Sequence, residues 1–254
     1  LFVDPYLAYY FYAFRVDRAP FDDIKVRRAF NMAIDKERLV TDITRAMQVP
    51  ADGPVPPFFT RTMGYPRSPG DTFDPSAARR LLAEAGYPNG VGLAPITLIY
   101  NTYESHRMIA EFVQRSIKEN LGFPIAIENM EWKSLLKRLR TGDFQVSRFG
   151  WIGLPDPHTF LKMFRTNSTN NNSGYKNQEI DRLLDASLKA PSERERLATL
   201  ARAEAIIQRD VPIAPLYYYT RPYLKAPVLR GLEPELNDTH LVKYMYWGDK
   251  ERTP

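Results

Sequence analysis

From Pro95 to Pro157 the chain switches repeatedly between two hydrophobic periods, and that switching limits the folds open to it more than any other feature. Ile96, Leu98 and Tyr100 alternate with Thr97, Ile99 and Asn101 and carry no charge, which predicts a strand buried on both faces. Met108, Ile109, Phe112, Val113 and Ile117 then recur at helical spacing, and Gly122 supplies a stop after Leu121. Pro124 to Met130 reads as a second strand. Trp132, Leu135, Leu136 and Leu139 fall at i, i+3, i+4 and i+7, Gly142 ends that helix, and Phe144 to Trp151 gives a third strand. Strand, helix, strand, helix, strand with short connections predicts two crossover units and a parallel sheet. Ligands in such sheets sit beyond the carboxyl ends of the strands. Here those ends are Asn101 to His106, Glu131-Trp132, and Arg148 to Trp151, a polar, aromatic and basic set.

The flanking sequence is built to wrap that unit. The aromatic run Tyr6, Tyr9 to Tyr12 and Phe14 favours a strand. Phe21-Asp22-Asp23 opens a helix with Val26, Ala29, Phe30, Ala33 and Ile34 on one face, and a second helix is expected from Asp35 to about Met47. Val49 to Asp71 is rich in Pro and Gly, an ordered or ligand-facing loop. Asp74-Pro75 is an N-cap followed by proline at the first helical position, and Gly86 terminates that helix. After the sheet unit come a short helix near Phe160 to Phe164 and a polar Asn-rich loop, Thr166 to Gly174. Two amphipathic helices follow, the second announced by the capping box Ser192-x-x-Glu195. Val211 to Tyr219 is a further strand, and Lys225 to Trp247 is a tail suited to packing on another surface.

Several chemistries are excluded or weakened by the residues present. With no cysteine there is no disulfide, thiolate metal site or cysteine nucleophile in these residues. His106, His158 and His240 lie far apart without metal-ligand spacing, and no phosphate-binding glycine motif or nucleophile elbow occurs. No cofactor is expected. The net charge of +5 is mild, with acids interleaved among the Lys and Arg residues, so a solvated surface is expected and no nucleic-acid partner. Lys133, Lys137, Arg138 and Arg140 read as one helix's wet face. Glu128 and Glu131 alone could argue for a hydrolase, and a strand end beside a helix start explains both. His106 stands open between a helix-start surface residue and a functional group. No apolar run reaches the ~18 residues of a membrane span.

A resemblance adds to this reading. Pro20-Phe21-x-Asp23-x-x-Val26-Arg27-x-Ala29, continuing to Ala33-Ile34-Asp35-x-x-x-Leu39-Val40, resembles a recurrent segment of the extracytoplasmic peptide-binding proteins of ABC transporters. Ala78-x-x-Leu81-Leu82-x-Glu84-Ala85-Gly86-Tyr87, Leu98-x-Tyr100-Asn101-Thr102, Glu131-Trp132 and Gly150-Trp151 are similar to the same family in the same order. So are Asp156-Pro157, Gly174-Tyr175-x-Asn177 and Pro212-Ile213-x-Pro215-Leu216-Tyr217-Tyr218-Tyr219.

That resemblance implies an α/β lobe of periplasmic-binding-protein-like build, with a mainly parallel sheet flanked by helices. It implies that the chain corresponds to a C-terminal half, with a hinge-proximal aromatic strand at 1–18 and the ligand-binding lobe at 19–210. Residues 211–254 would be a strand and tail crossing back to an N-terminal lobe, missing here along with the signal peptide. The function implied is non-enzymatic: capture of oligopeptides between two closing lobes in the periplasm, for delivery to a membrane permease. The same build with a sugar, metal complex or other solute is the alternative, and a hydrolase the alternative of another class. By similarity, Asn101, His106, Arg148, Trp151 and Asn171 match ligand-near positions, Tyr217, Tyr218 and Tyr219 face the cleft, and Phe11 stands where a ligand-near Tyr is expected. Arg148, His106 and Arg45 match positions that receive a peptide carboxylate. One departure concerns the amino end: the family's oligopeptide binders carry an Asp three residues after the Trp, and the run Trp151 to Pro157 has no acid there, Asp156 matching a later position.

Overall fold

The computed structural model describes residues 1–248 except 234 and 237, so the expected return segment 211–254 is described only to residue 248. Its frame is one six-stranded sheet. The strands are β1 (Phe2–Phe14), β2 (Val49–Pro50), β3 (Thr97–Asn101), β4 (Ala126–Met130), β5 (Val146–Ile152) and β6 (Ile213–Tyr223), in the order β2-β6-β1-β5-β3-β4. The crossover unit folds as its periodicity predicts. β3 pairs parallel with both β4 and β5, joined through α5 (Glu104–Leu121) and α6 (Trp132–Thr141). Gly122 and Gly142 close these helices with positive φ of 85° and 66°, a left-handed turn that costs glycine little. The sheet as a whole is mixed, because β1 pairs antiparallel with β5 and β6, and β6 antiparallel with β2.

Helices cover both faces because β1 alternates large apolar side chains in both directions. Tyr10, Tyr12 and Phe14 face the core formed with α1 (Ile24–Met32), α4 (Pro75–Glu84) and α5. Leu7, Tyr9, Phe11 and Ala13 face the opposite core, with α3 (Phe58–Met63), α7 (His158–Leu161), α8 (Gln178–Ser187) and α9 (Glu193–Asp210). Ile99 on β3 packs with Leu135 and Leu139 of α6. Local caps hold the helix starts: Asp74 Oδ1 accepts from Ala77 N, and Ser192 Oγ from Glu195 N. The expected helix after Asp35 is a short turn α2 (Lys36–Arg38) followed by a π-helical turn, Leu39–Thr44. There Arg45 N donates to Val40 O, five residues back.

The Pro-rich loop is ordered by burial. Ala51, Val55, Phe59 and Tyr65 enter the second core, and Lys36 Nζ donates to Ala51 O at 3.0 Å. Glu204 of α9 is fully buried and accepts from Val55 N; burial raises its carboxyl to about 7 against the opposing pull of Arg67. Arg67 in turn bonds Asp52, Val55 O and the Tyr218 hydroxyl. This loop therefore faces α9 and not the strand ends. A small two-stranded sheet, β7 (Leu229–Arg230) with β8 (Tyr246–Trp247), lies in the tail.

Candidate ligand-binding site

The parallel strands bring Asn101, Met130 and Ile152 to one side of the sheet. β3 pairs with β5 only as far as Ser147, then Thr102 turns away, its N bonded to Met130 O, and the chain enters α5. β5 continues to Ile152 with β1 along its other side. The main chain from Arg148 to Ile152 therefore has one strand edge with no partner strand among the described residues. Arg148 Nη1 reaches across the opening to Asn101 Oδ1 at a long 3.4 Å. Gly150 leaves room for it, since a Cβ there would stand 3.3 Å from Arg148 Nη2.

Around that guanidinium the polar atoms are poorly satisfied. Arg148 Cζ lies 4.9 Å from the centre of the Tyr10 ring. Tyr10 stacks on Tyr217 at 5.0 Å and lies 5.5 Å from the His106 ring, while Tyr219 meets Tyr217 edge-on at 5.1 Å. Arg148 Nε, His106 Nδ1 and the hydroxyls of Tyr10 and Tyr12 are all buried without a hydrogen-bond partner. Buried polar groups are ordinarily paired, and these four, gathered around one guanidinium, keep hydrogen-bonding capacity for a ligand. Among the described residues no carboxylate pairs with Arg148. Burial, and secondarily the Arg148 charge, pulls the His106 imidazole down to about 4; burial pushes the Tyr10 phenol up. At neutral pH the site thus carries one cation ringed by neutral hydroxyls and aromatic faces. Such a site accepts an anion, and a planar guanidinium suits a carboxylate.

The His106 environment has a measurable consequence. Its folded pKa lies below the value of about 6.5 for a free imidazole, so the unfolded chain binds the extra proton more readily. The stability held with neutral His106 is complete above pH ~6.5 and falls as pH drops toward ~4. NMR titration of the imidazole should show a midpoint near 4, rising when an anionic ligand binds. A midpoint at or above 6.5 in the free protein would mean that His106 is solvated and not part of a closed polar cluster.

Of the residues singled out from sequence, Asn101, His106, Arg148, Tyr217 and Tyr219 come together here. The side chains of the others engage different partners. The register sets Phe11 opposite Phe149 and Tyr9 opposite Trp151, and these side chains pack on the other face. The Trp151 indole donates to Thr159 O at 2.9 Å. The Tyr218 hydroxyl donates to Gly53 O and accepts from Arg67. Asn171 ties its own loop, donating to Arg165 O and Tyr175 O. Arg45, in the left-handed region at φ 49°, turns back to Asp42 O. Asp156, the acid nearest the amino-end position, has both oxygens 2.6 Å from Arg196 Nη2 and caps His158 N. Sequence reasoning missed the Tyr10 and Tyr12 hydroxyls. Strand alternation would have found them only if the β1–β5 register were known. Among the described residues no cluster of His, Asp and Glu could hold a metal ion, and no helix is long and apolar enough to cross a membrane.

Comparison with known proteins gives a consistent picture. The sequence profile of the bacterial extracellular solute-binding proteins, family 5 Middle, matches residues 2–172. The oligopeptide-binding protein OppA of Bacillus subtilis is 33% identical over 238 residues, covering 91% of this chain and 44% of that protein. A periplasmic oligopeptide-binding protein of Borrelia burgdorferi superposes with a TM-score of 0.85 at 32% identity, over 97% of this chain and 49% of that one. Haemophilus influenzae OppA, solved in complex with the peptide RPPGFSPFR, gives 0.83 at 27% identity over 98% and 50%. The chain spans about half the length of the relatives it matches.

Proposed function

Because the chain belongs to family 5 of the bacterial extracellular solute-binding proteins, we propose that it forms the ligand-binding lobe of an ABC-importer component that captures oligopeptides in extended form. The observation that carries this reading is the edge of β5 from Arg148 to Ile152, which has no partner strand among the described residues, next to a guanidinium that has no carboxylate partner among them. An extended peptide laid along that edge satisfies its main-chain groups whatever its side chains are, and its carboxylate lies against Arg148 and Asn101. His106, Tyr217 and Tyr219 line the same end, while Phe11, Trp151, Asn171 and Tyr218 support the strands from behind. The peptide bound to Haemophilus influenzae OppA and the names of the relatives support a peptide ligand, a binding and not a catalytic role, and an extracytoplasmic location. Residues 19–210 supply the α-helices and four strands of the lobe, and β1 and β6 complete its sheet. Only the far ends of that pair, toward Phe2 and Tyr223, lead to a second lobe that closes over the ligand, which a membrane permease then receives. The ribbon of Phe2–Pro5 with Thr220–Tyr223 and the exposed Leu1, Phe2, Val3 and Leu224 support that arrangement.

Calorimetry on the full-length protein tests the pairing mode. Tetra- and pentapeptides that share a carboxyl-terminal residue and are otherwise unrelated in sequence should bind within about 10-fold of one another. Methylating one central amide nitrogen should weaken binding by about 10-fold, the worth of one or two strand hydrogen bonds. Equal binding of the methylated peptide would remove strand addition as the mode of capture, and failure of all peptides would remove the peptide itself.

A further inference from the structure

A cavity of about 360 Å³ opens beside His106, formed by Ile43 and Thr44 of the π-helical turn, His106 and Met108 of α5, and Tyr217 and Tyr219 of β6. We propose that it is a side-chain pocket which makes the protein select ligands with a large aromatic or branched aliphatic group next to their carboxylate. This rests on the peptide reading above and deepens it.

Three observations support the assignment. The first is chemical: among the described residues no Asp, Glu, Lys or Arg lines the cavity, and its one imidazole is neutral at working pH. The Thr44 hydroxyl donates to Gln48 Oε1, so beside the Ser105 hydroxyl and the Gln48 amide the wall offers a guest mainly rings, a thioether and alkyl surface. Met108 is partly exposed, and its flexible thioether adapts to guests of different shape.

The second is position. The Tyr10 ring touches the Arg148 guanidinium at 4.9 Å and the cavity residues His106 and Tyr217 at 5.5 and 5.0 Å. One aromatic ring thus separates the anion-binding group from the cavity wall. A residue whose carboxylate meets Arg148 therefore has the cavity within reach of its own side chain, one ring's width away.

The third is the backbone. The wall is a π-helical turn that runs into two non-glycine residues in the left-handed region, Arg45 at φ 49° and Met47 at φ 57°. π-turns and positive φ at ordinary residues persist where the surroundings hold them, often at binding sites. Here Thr220 Oγ1, donating to Ala46 O at 2.8 Å, ties this segment to β6.

The test uses the full-length protein and three tetrapeptides: one ending in Phe, the same ending in Gly, and one with Phe moved to the first position and Gly last. The Phe-ending peptide should bind about 10- to 100-fold more tightly than the other two, the gain from burying one large apolar side chain. Thr44→Trp should fill the cavity and abolish that preference while leaving the Gly-ending peptide within about 3-fold. Met108→Trp, at a partly exposed position, repeats the test if Thr44→Trp does not fold. Equal binding of Phe- and Gly-ending peptides by the wild type overturns the pocket while the peptide reading stands. Loss of the preference in neither variant also overturns it. Binding of none of the three overturns both.

Discussion

Arg148→Ala is expected to weaken binding of a ligand carboxylate by roughly 100-fold, about 3 kcal/mol, because among the described residues the guanidinium it removes is paired with no carboxylate of the protein's own. Arg148 Nε is buried and unpaired, Nη1 has only the long contact to Asn101, and among the described residues no carboxylate offsets the charge. In the free protein that half-buried cation has no anion beside it among the described residues, and an incoming carboxylate supplies one. Two results should therefore separate. Affinity collapses in Arg148→Ala, while stability to urea is unchanged or slightly higher. A structural residue would behave the other way, losing stability first. Arg148→Lys keeps the charge but not the planar fork and should fall between, about 10-fold weaker than wild type. A peptide carboxamide should lose the same amount on wild type and nothing further on Arg148→Ala, since the cycle then removes one interaction twice. If the carboxamide and the acid bind wild type equally, Arg148 does not hold the carboxylate.

The elements were legible where the signal is local. Asp74, Ser192, Gly122 and Gly142 mark helix ends through side-chain caps or positive φ, and both act within four residues of themselves. The crossover unit was legible because two periods alternate over its whole length. The antiparallel half of the sheet was not. β1 and β5 are joined by more than a hundred residues, and nothing near Tyr10 says that it lies across from Gly150. A shift of one residue exchanges the faces of a strand, so the sequence could not decide whether Phe11 or the pair Tyr10 and Tyr12 looks toward Arg148. The segment after Asp35 has helical composition, and whether its hydrogen bonds close at four residues or five is settled by packing of Leu39, Val40 and Ile43 against α5. Buried charges are the least legible of all. Lys36, Glu204 and Arg27 sit among ordinary helical sequence, and only the fold supplies their partners.

Arg27 carries the largest expected effect on stability. It is 6% exposed, and its guanidinium donates only to main-chain carbonyls: Phe21 O and Asp22 O ahead of α1, Asp210 O and Val211 O at the end of α9. Burial pulls its pKa down, with Asp210 and Asp23 opposing. The last carbonyls of α9 have no partner within their own helix and form its negative end, so a cation is well placed there. One side chain thus joins the start of α1 to the point where α9 hands the chain to β6. Arg27→Ala would leave several of these carbonyls unpaired over a cavity, and we expect a loss of about 3–5 kcal/mol in urea unfolding. That is a large part of the roughly 5–15 kcal/mol that holds a typical domain together. Arg27→Lys keeps the charge but its single ammonium cannot reach carbonyls on both sides, so it should recover less than half. Arg107→Ala serves as the reference: Arg107 pairs with Glu104 and Glu111 on an exposed helix face, where solvent screens both pairs, and its loss should scarcely change the unfolding midpoint. Should Arg27→Ala cost no more than Arg107→Ala, water must reach the end of α9, and the junction between α1, α9 and β6 is held by packing of Phe21 and Phe30 alone.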